Sequence, residues 1–108
     1  RKVDIARIAN ATAKLLQCDL ELSPSDILSS DEYIGDRYGV LTPEGRDALK
    51  LVAETEGIFL DPVYTSKAMA GMIDQIRKGI ITKNETVVFI HTGGLPALFA
   101  YAEDLMLS

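Results

Sequence analysis

Cysteine is nearly absent: Cys18 is the single one among 108 residues. One thiol cannot form an internal disulfide, and without a second cysteine it offers no cysteine-based metal site. Its neighbours Leu15, Leu16 and Leu20 point to a small buried hydrophobe, and the scarcity points to a reducing, cytoplasmic compartment. Long apolar runs are lacking too, so no segment has the length to cross a bilayer and no membrane partner is expected. A basic stripe interleaved with aromatics is also missing: 11 Lys and Arg face 16 Asp and Glu, for a net charge of −5. Nucleic-acid binding needs cations to neutralise phosphates, so no nucleic-acid partner is expected. The densest basic stretch, Arg77-Lys78 near Lys83, stands beside an expected helix end, where cations complement the dipole. No repeat or low-complexity stretch is present, and 47% apolar with 25% charged residues is not a disordered composition.

What is present reads first as one small domain. A domain of this length buries only about two-thirds of its unfolded surface, enough to fold alone with little to spare. The chain opens on Arg1 rather than Met, and its first residues read as helix rather than as a secretion signal. It is therefore expected to be a trimmed or excised segment.

Residues 3–17 place Ile5, Ile8, Ala9, Thr12, Leu15 and Leu16 at helical spacing, which predicts one buried stripe. Residues 20–39 are rich in Ser, Asp and Gly and read as a loop, with a short strand around Ile27. Thr42-Pro43-Glu44 is a helix start: a hydroxyl cap, proline at the first position and a carboxylate near the positive end. That helix is expected to reach Glu56, with Ala48, Leu51, Val52 and Thr55 inward and Gly57 ending it. Asp61-Pro62 favours an extended or turn conformation. A third helix begins near Thr65 or Ser66, buries Met69, Met72, Ile73 and Ile76, and ends at Gly79. Its small residues Ala68, Ala70 and Gly71 allow close approach by a backbone or a ligand.

Thr86-Val87-Val88-Phe89-Ile90 is β-branched, apolar and without alternation, the pattern of a strand covered on both faces in a parallel sheet. His91-Thr92-Gly93-Gly94 follows, and Leu95-Pro96 opens a fourth helix through Ala100. One convincing strand and one doubtful one cannot make a parallel sheet. The expected class is α/β, with helices on a mostly parallel sheet completed by other copies or by residues of a larger fold, the second being preferred.

The strand–Thr-Gly-Gly–helix unit is the best local signal for a site, because ligands of open α/β sheets bind beyond the carboxyl ends of strands. Glycines there admit a ligand to the backbone, and a helix amino end attracts negative charge. A tight turn explains the same pair of glycines equally well. His91, the one histidine, suits a general base, though a packed histidine at a sheet end is the commoner use. Glu54 and Glu56 face different ways on a helix, and Asp31, Glu32 and Asp36 lack metal-ligand spacing. Both groups read as solvated. Tyr64-Thr65-Ser66-Lys67 gathers a phenol, two hydroxyls and an amine at a helix start, which suits either a carboxylate grip or a helix cap. No nucleophile–base pair follows from spacing.

Three blocks in order carry a resemblance. Tyr38-Gly39-Val40, then Thr55-Glu56-Gly57-Ile58 with Asp61-Pro62-Val63-Tyr64-Thr65-Ser66-Lys67-Ala68-Met69-Ala70-Gly71-Met72-Ile73, then His91-Thr92-Gly93-Gly94-Leu95-Pro96-Ala97-Leu98-Phe99 resemble the carboxyl-terminal part of the D-cysteine desulfhydrase / 1-aminocyclopropane-1-carboxylate deaminase family. The resemblance covers nearly the whole chain. It implies pyridoxal 5'-phosphate as cofactor and the tryptophan synthase β-like fold (fold type II). It also makes residues 1–108 the carboxyl-terminal segment of the large cofactor-binding domain, not an independent domain.

The Schiff-base lysine, the substrate-site serine and the main phosphate loop of such proteins belong to the amino-terminal remainder, so Lys67 is not expected to be the cofactor lysine. By the same resemblance Tyr38 and Tyr64 are the catalytic candidates on the substrate side of the cofactor. Thr92, with Gly93 and Thr65, is expected on the cofactor, Thr92 as the partner of the pyridine nitrogen. The deaminases carry glutamate at the position of Thr65 and leucine at that of Thr92. A carboxylate there strengthens the electron sink that ring opening demands, whereas a neutral hydroxyl suffices for β-elimination. The implied reaction is β-elimination of D-cysteine, a small amino-acid substrate, to pyruvate, ammonia and sulfide, by a cytoplasmic homodimer. The segment alone is expected to be inactive. The alternatives are the deaminase, a cysteate sulfo-lyase, and, from another class, a free-standing small α/β ligand-binding module.

Overall fold

The computed structural model describes residues 1–106, which form two compact units, Arg1–Asp31 and the chain from Glu32 onward. The first unit is helix α1 (Lys2–Leu15) with a returning segment and a short 3-10 helix, Pro24–Asp26. Gln17 takes a left-handed conformation at φ 54° and reverses the chain. Asn10 then clamps the returning strand of chain: its side-chain amide donates to the Leu22 carbonyl and accepts from the Leu22 N–H, both at 2.8 Å. The Asp26 carboxylate closes the 3-10 turn by accepting from Ser23 N–H and Ser23 Oγ, each at 2.7 Å.

Within this unit the expected stripe is not buried. Only Ala6 and Ala13 are enclosed, while Ile5, Ile8, Leu15 and Leu16 are exposed. One helix and one short returning segment have too little surface to cover an apolar stripe. Cys18 is exposed as well, because it follows the reversal at Gln17 rather than continuing the helix. The short strand expected near Ile27 is replaced by the 3-10 turn.

In the second unit α2 (Pro43–Glu56) and α3 (Thr65–Arg77) pack together. Thr42 caps α2 as its motif requires, with Oγ1 accepting from Gly45 N–H at 3.1 Å, and Gly57 ends it at φ 66°. The core is Ala48, Leu49, Val52, Leu60, Met69 and Ala70, against which Phe89, Leu98 and Leu105 are half-buried. The buried face of α2 runs through Gly45, Ala48, Leu49 and Val52. Leu51 and Thr55, expected inward, are exposed. Close packing explains the rotation: a Cβ on Gly45 would lie 3.3 Å from Ser66 Oγ, so α3 closes on the side where α2 has no side chain.

Helix α3 likewise buries Thr65, Ser66, Lys67, Met69, Ala70 and Gly71. Met72 and Ile73 are half-buried, and Ile76 is exposed. The close approach expected at the small residues occurs at Gly71, where a Cβ would stand 2.9 Å from the Tyr33 ring. Gly79, at φ 70°, follows the helix end.

Residues 86–90 do not form the expected strand, and no strand occurs among the described residues. Phe89 packs on the core, but Val88 is 81% and Ile90 76% exposed. A strand exists only through a ladder with a neighbour, and no described segment pairs with this one. The described residues end in a turn at Leu95-Pro96 followed by α4 (Ala97–Ala100) and α5 (Ala102–Met106). Among the described residues no helix is long and apolar enough to cross a membrane.

Candidate functional site

The segment between α2 and α3 builds the site. Asp61 is 1% exposed and accepts four hydrogen bonds. Oδ2 takes the N–H of Val63 at 2.8 Å and of Tyr64 at 2.9 Å, while Oδ1 takes Thr65 N–H and Thr65 Oγ1, both at 2.7 Å. Asp61 N–H in turn donates to Thr65 Oγ1 at 2.7 Å. This satisfies donors at the start of α3 that no helical carbonyl can reach. Burial pushes the Asp61 carboxyl up, but the bonds from Thr65, Tyr64 and Val63 outweigh it and hold the group below its ordinary range.

With its backbone fixed in this way, Tyr64 presents its phenol to Tyr38. The two hydroxyls are 2.8 Å apart, with ring centroids at 5.9 Å and planes tilted by 58°. Both rings are exposed. Tyr38 is positioned through its neighbour, since the Gly39 carbonyl accepts a hydrogen bond from Tyr101 Oη. The hydrogen bond with Tyr38, with smaller effects from burial and nearby charge, raises the Tyr64 phenol above its ordinary value.

The His-Thr-Gly-Gly loop is anchored to the same segment at two points. His91 Nε2 lies 2.8 Å from the Phe59 carbonyl, and Nδ1 accepts from Gly93 N–H at 3.1 Å. A ring that accepts at Nδ1 carries its proton on Nε2, so His91 donates to Phe59. It acts as a bracket, but an exposed one with no sheet beside it among the described residues, rather than the packed histidine expected at a sheet end. Gly94, at φ 89°, lies against Asp61, where a Cβ would come within 2.8 Å of Asp61 Cβ. Thr92 stands exposed between these anchors, and a Cβ on Gly93 would meet nothing within 4 Å.

The sequence candidates therefore divide. Tyr38 and Tyr64 are brought together, and Thr92 and Gly93 stand on a loop braced against the Tyr64 segment. Thr65 is buried beneath them, with its hydroxyl engaged by Asp61 in both directions. Lys67 is also buried, and its Nζ donates to the Ile34 carbonyl at 2.7 Å. Asp31, Glu32, Asp36, Glu54 and Glu56 are exposed. Asp61 is the buried residue of this segment that sequence reasoning missed. Its signal was legible as a carboxylate followed by proline just before a helix, a capping pattern.

A groove of about 610 Å³ lies elsewhere, between α2 and α3, with Ala48, Leu51, Ala70 and Ile73 among its lining. At its rim Asp74 Oδ2 accepts from Tyr33 Oη and from Lys78 Nζ, both at 2.6 Å. None of Tyr38, Tyr64 or Thr92 lines it.

Comparison with known proteins identifies the lineage. A crystal structure described as that of an ACC deaminase homologue is similar to this chain at 39% identity, with a TM-score of 0.69 over 87% of this chain. The chain spans 27% of that protein's length. Residues 1–93 match the family described as pyridoxal-phosphate dependent enzyme, and the chain belongs to that family.

Proposed function

We propose that these residues are the carboxyl-terminal segment of the large domain of a fold type II pyridoxal-phosphate lyase of the D-cysteine desulfhydrase type. In this reading the sheet of that domain is completed by residues outside this chain, and residues 86–90 pair there. The single observation that carries the reading is a set of neutral hydroxyls on segments that brace one another. It comprises the Tyr38–Tyr64 pair and the exposed Thr92 on its braced loop.

The residues fit the cofactor. Space is open over Gly93, and Thr92 offers an uncharged partner to a pyridine nitrogen. No carboxylate stands at position 65 or 92. When bound, pyridoxal phosphate supplies the electron sink that stabilises charge at the substrate α-carbon. This chain's residues bind, orient and hold protons. Thr92 and Gly93 support the ring end, and Tyr38 and Tyr64 face the substrate. Tyr64 holds its proton at the phenol oxygen while Tyr38 shares the hydrogen bond. A neutral ring partner suits expulsion of a β-leaving group, because that reaction asks less of the electron sink than opening a cyclopropane. In this reading the Schiff-base lysine lies outside these residues, and Lys67 holds the Ile34 carbonyl instead.

The similarity to an ACC deaminase homologue keeps deamination of 1-aminocyclopropane-1-carboxylate as a second reading, with cysteate sulfo-lyase activity beside it. Full-length protein, assayed with all three amino acids, is expected to release sulfide and pyruvate from D-cysteine fastest. It is also expected to show a visible cofactor band that borohydride abolishes. No cofactor band after loading with pyridoxal phosphate would overturn the reading, and faster turnover of the cyclopropane would transfer it to the deaminase.

A further inference from the structure

Asp61 is the one buried carboxylate at the site to which the proposed reaction gives no task, yet it touches both halves of the site. On one side it accepts the N–H groups of Val63, Tyr64 and Thr65. On the other its Cβ and Cγ face Gly94, close enough that an added Cβ would stand 2.8 and 2.9 Å away. A residue that only capped α3 would need the first set of contacts and not the second.

We propose that Asp61 is a positioning residue. It ties the Tyr64 backbone and the Gly94 end of the loop to one point, so that the phenol pair and Thr92 keep a single relative geometry. The inference rests on the lyase reading above. Thr92 is held from both ends, by the His91 bracket on Phe59 and by Gly94 on Asp61, while Gly93 between them has open space. Backbone N–H groups and a threonine hydroxyl all aim at the carboxylate, so both of its oxygens must be acceptors. An asparagine in the same place presents an NH2 toward at least one of these donors. The charge of Asp61 also acts to raise the Tyr64 phenol, a secondary effect in the same direction.

The test uses the full-length holoenzyme with Asp61→Asn. Cofactor content is expected to be retained and kcat to fall by about a hundredfold, since small displacements of reacting groups cost that much, while substrate KM changes little. The circular dichroism of the bound cofactor is expected to change, a signature that loss of stability alone does not produce. Gly94→Ala disturbs the same contact from the loop side and is expected to show both effects, with the double variant no worse than the poorer single one. If Asp61→Asn does not fold, Thr65→Val carries the test, because it removes the hydroxyl from Asp61 and leaves the three amide bonds. Unchanged kcat and dichroism in folded variants, with only a lower melting temperature, overturns the inference and leaves the lyase reading intact. A wild-type protein that binds no cofactor overturns the lyase reading first.

Discussion

The hydroxyls of Tyr38 and Tyr64, 26 positions apart in the chain, meet at 2.8 Å. Neither ring is buried, so packing alone does not hold the pair. The Tyr101 bond to the Gly39 carbonyl and the Asp61 bonds to the start of α3 fix the two backbones, and the hydroxyls meet as a result.

Each phenylalanine variant, Tyr38→Phe and Tyr64→Phe, is expected to lower kcat of the full-length enzyme by roughly a hundredfold, the scale of losing a positioned proton-handling group. The Tyr64 phenol is raised above its ordinary value of 10.0, first by the hydrogen bond with Tyr38. The contribution of the pair is therefore complete below pH 10 and lost as pH rises through the higher folded value. Tyr38→Phe is expected to let Tyr64 ionise at lower pH, read as phenolate absorbance during alkaline titration. An unmoved titration would sink the assignment.

Asp61 has the opposite sign. Its carboxyl is held below the ordinary value of 3.8, so its stabilisation is fully present above that pH and is lost as pH falls through the lower folded value. Full-length protein is expected to melt at progressively lower temperature in acid, and Asp61→Asn is expected to flatten that dependence. Parallel acid profiles for the two proteins would contradict the burial and bonding found here.

Gly93 and Gly94 separate conformation from contact. Both have positive φ, 92° and 89°, but only Gly94 faces a neighbour. Gly93→Ala is expected to cost about 1–2 kcal/mol, the penalty of a Cβ at positive φ. Gly94→Ala carries the same penalty plus a collision with Asp61 and is expected to cost about 3 kcal/mol or more. Denaturant melts of the two variants measure the difference, and equal costs would refute the contact.

Ser66 makes the reverse case. Its hydroxyl is fully buried and has no hydrogen-bond partner among the described residues. Removing a buried, unsatisfied donor relieves a desolvation penalty of about 1–3 kcal/mol, so Ser66→Ala is expected to leave the melting temperature unchanged or raise it. A clear drop would show that the hydroxyl is bonded in the full-length protein.

Much of the local structure was legible in the sequence. Thr42, Pro43 and Gly57 bounded α2 correctly because caps and stops act over a few neighbouring residues. The start of α3 followed for the same reason. The faces were less legible. Leu51 and Ile76 fit a helical stripe and are nevertheless exposed, because which side of α2 is buried depends on Gly45 meeting Ser66. Residues 86–90 carry strand chemistry without a strand, because the ladder needs a partner that no nearby residue supplies.

By itself, then, the sequence determined the bounds of α2 and the start of α3, the blocks that mark pyridoxal-phosphate enzymes, and the residues that could face a ligand. Only the tertiary structure decided that Tyr38 meets Tyr64, that His91 brackets the loop onto Phe59, and that a buried Asp61 stands between Tyr64 and Gly94. These are contacts between residues far apart in the chain. Their geometry is set by how α2, α3 and the loop after residue 90 close on one another, which no local rule of spacing or propensity contains.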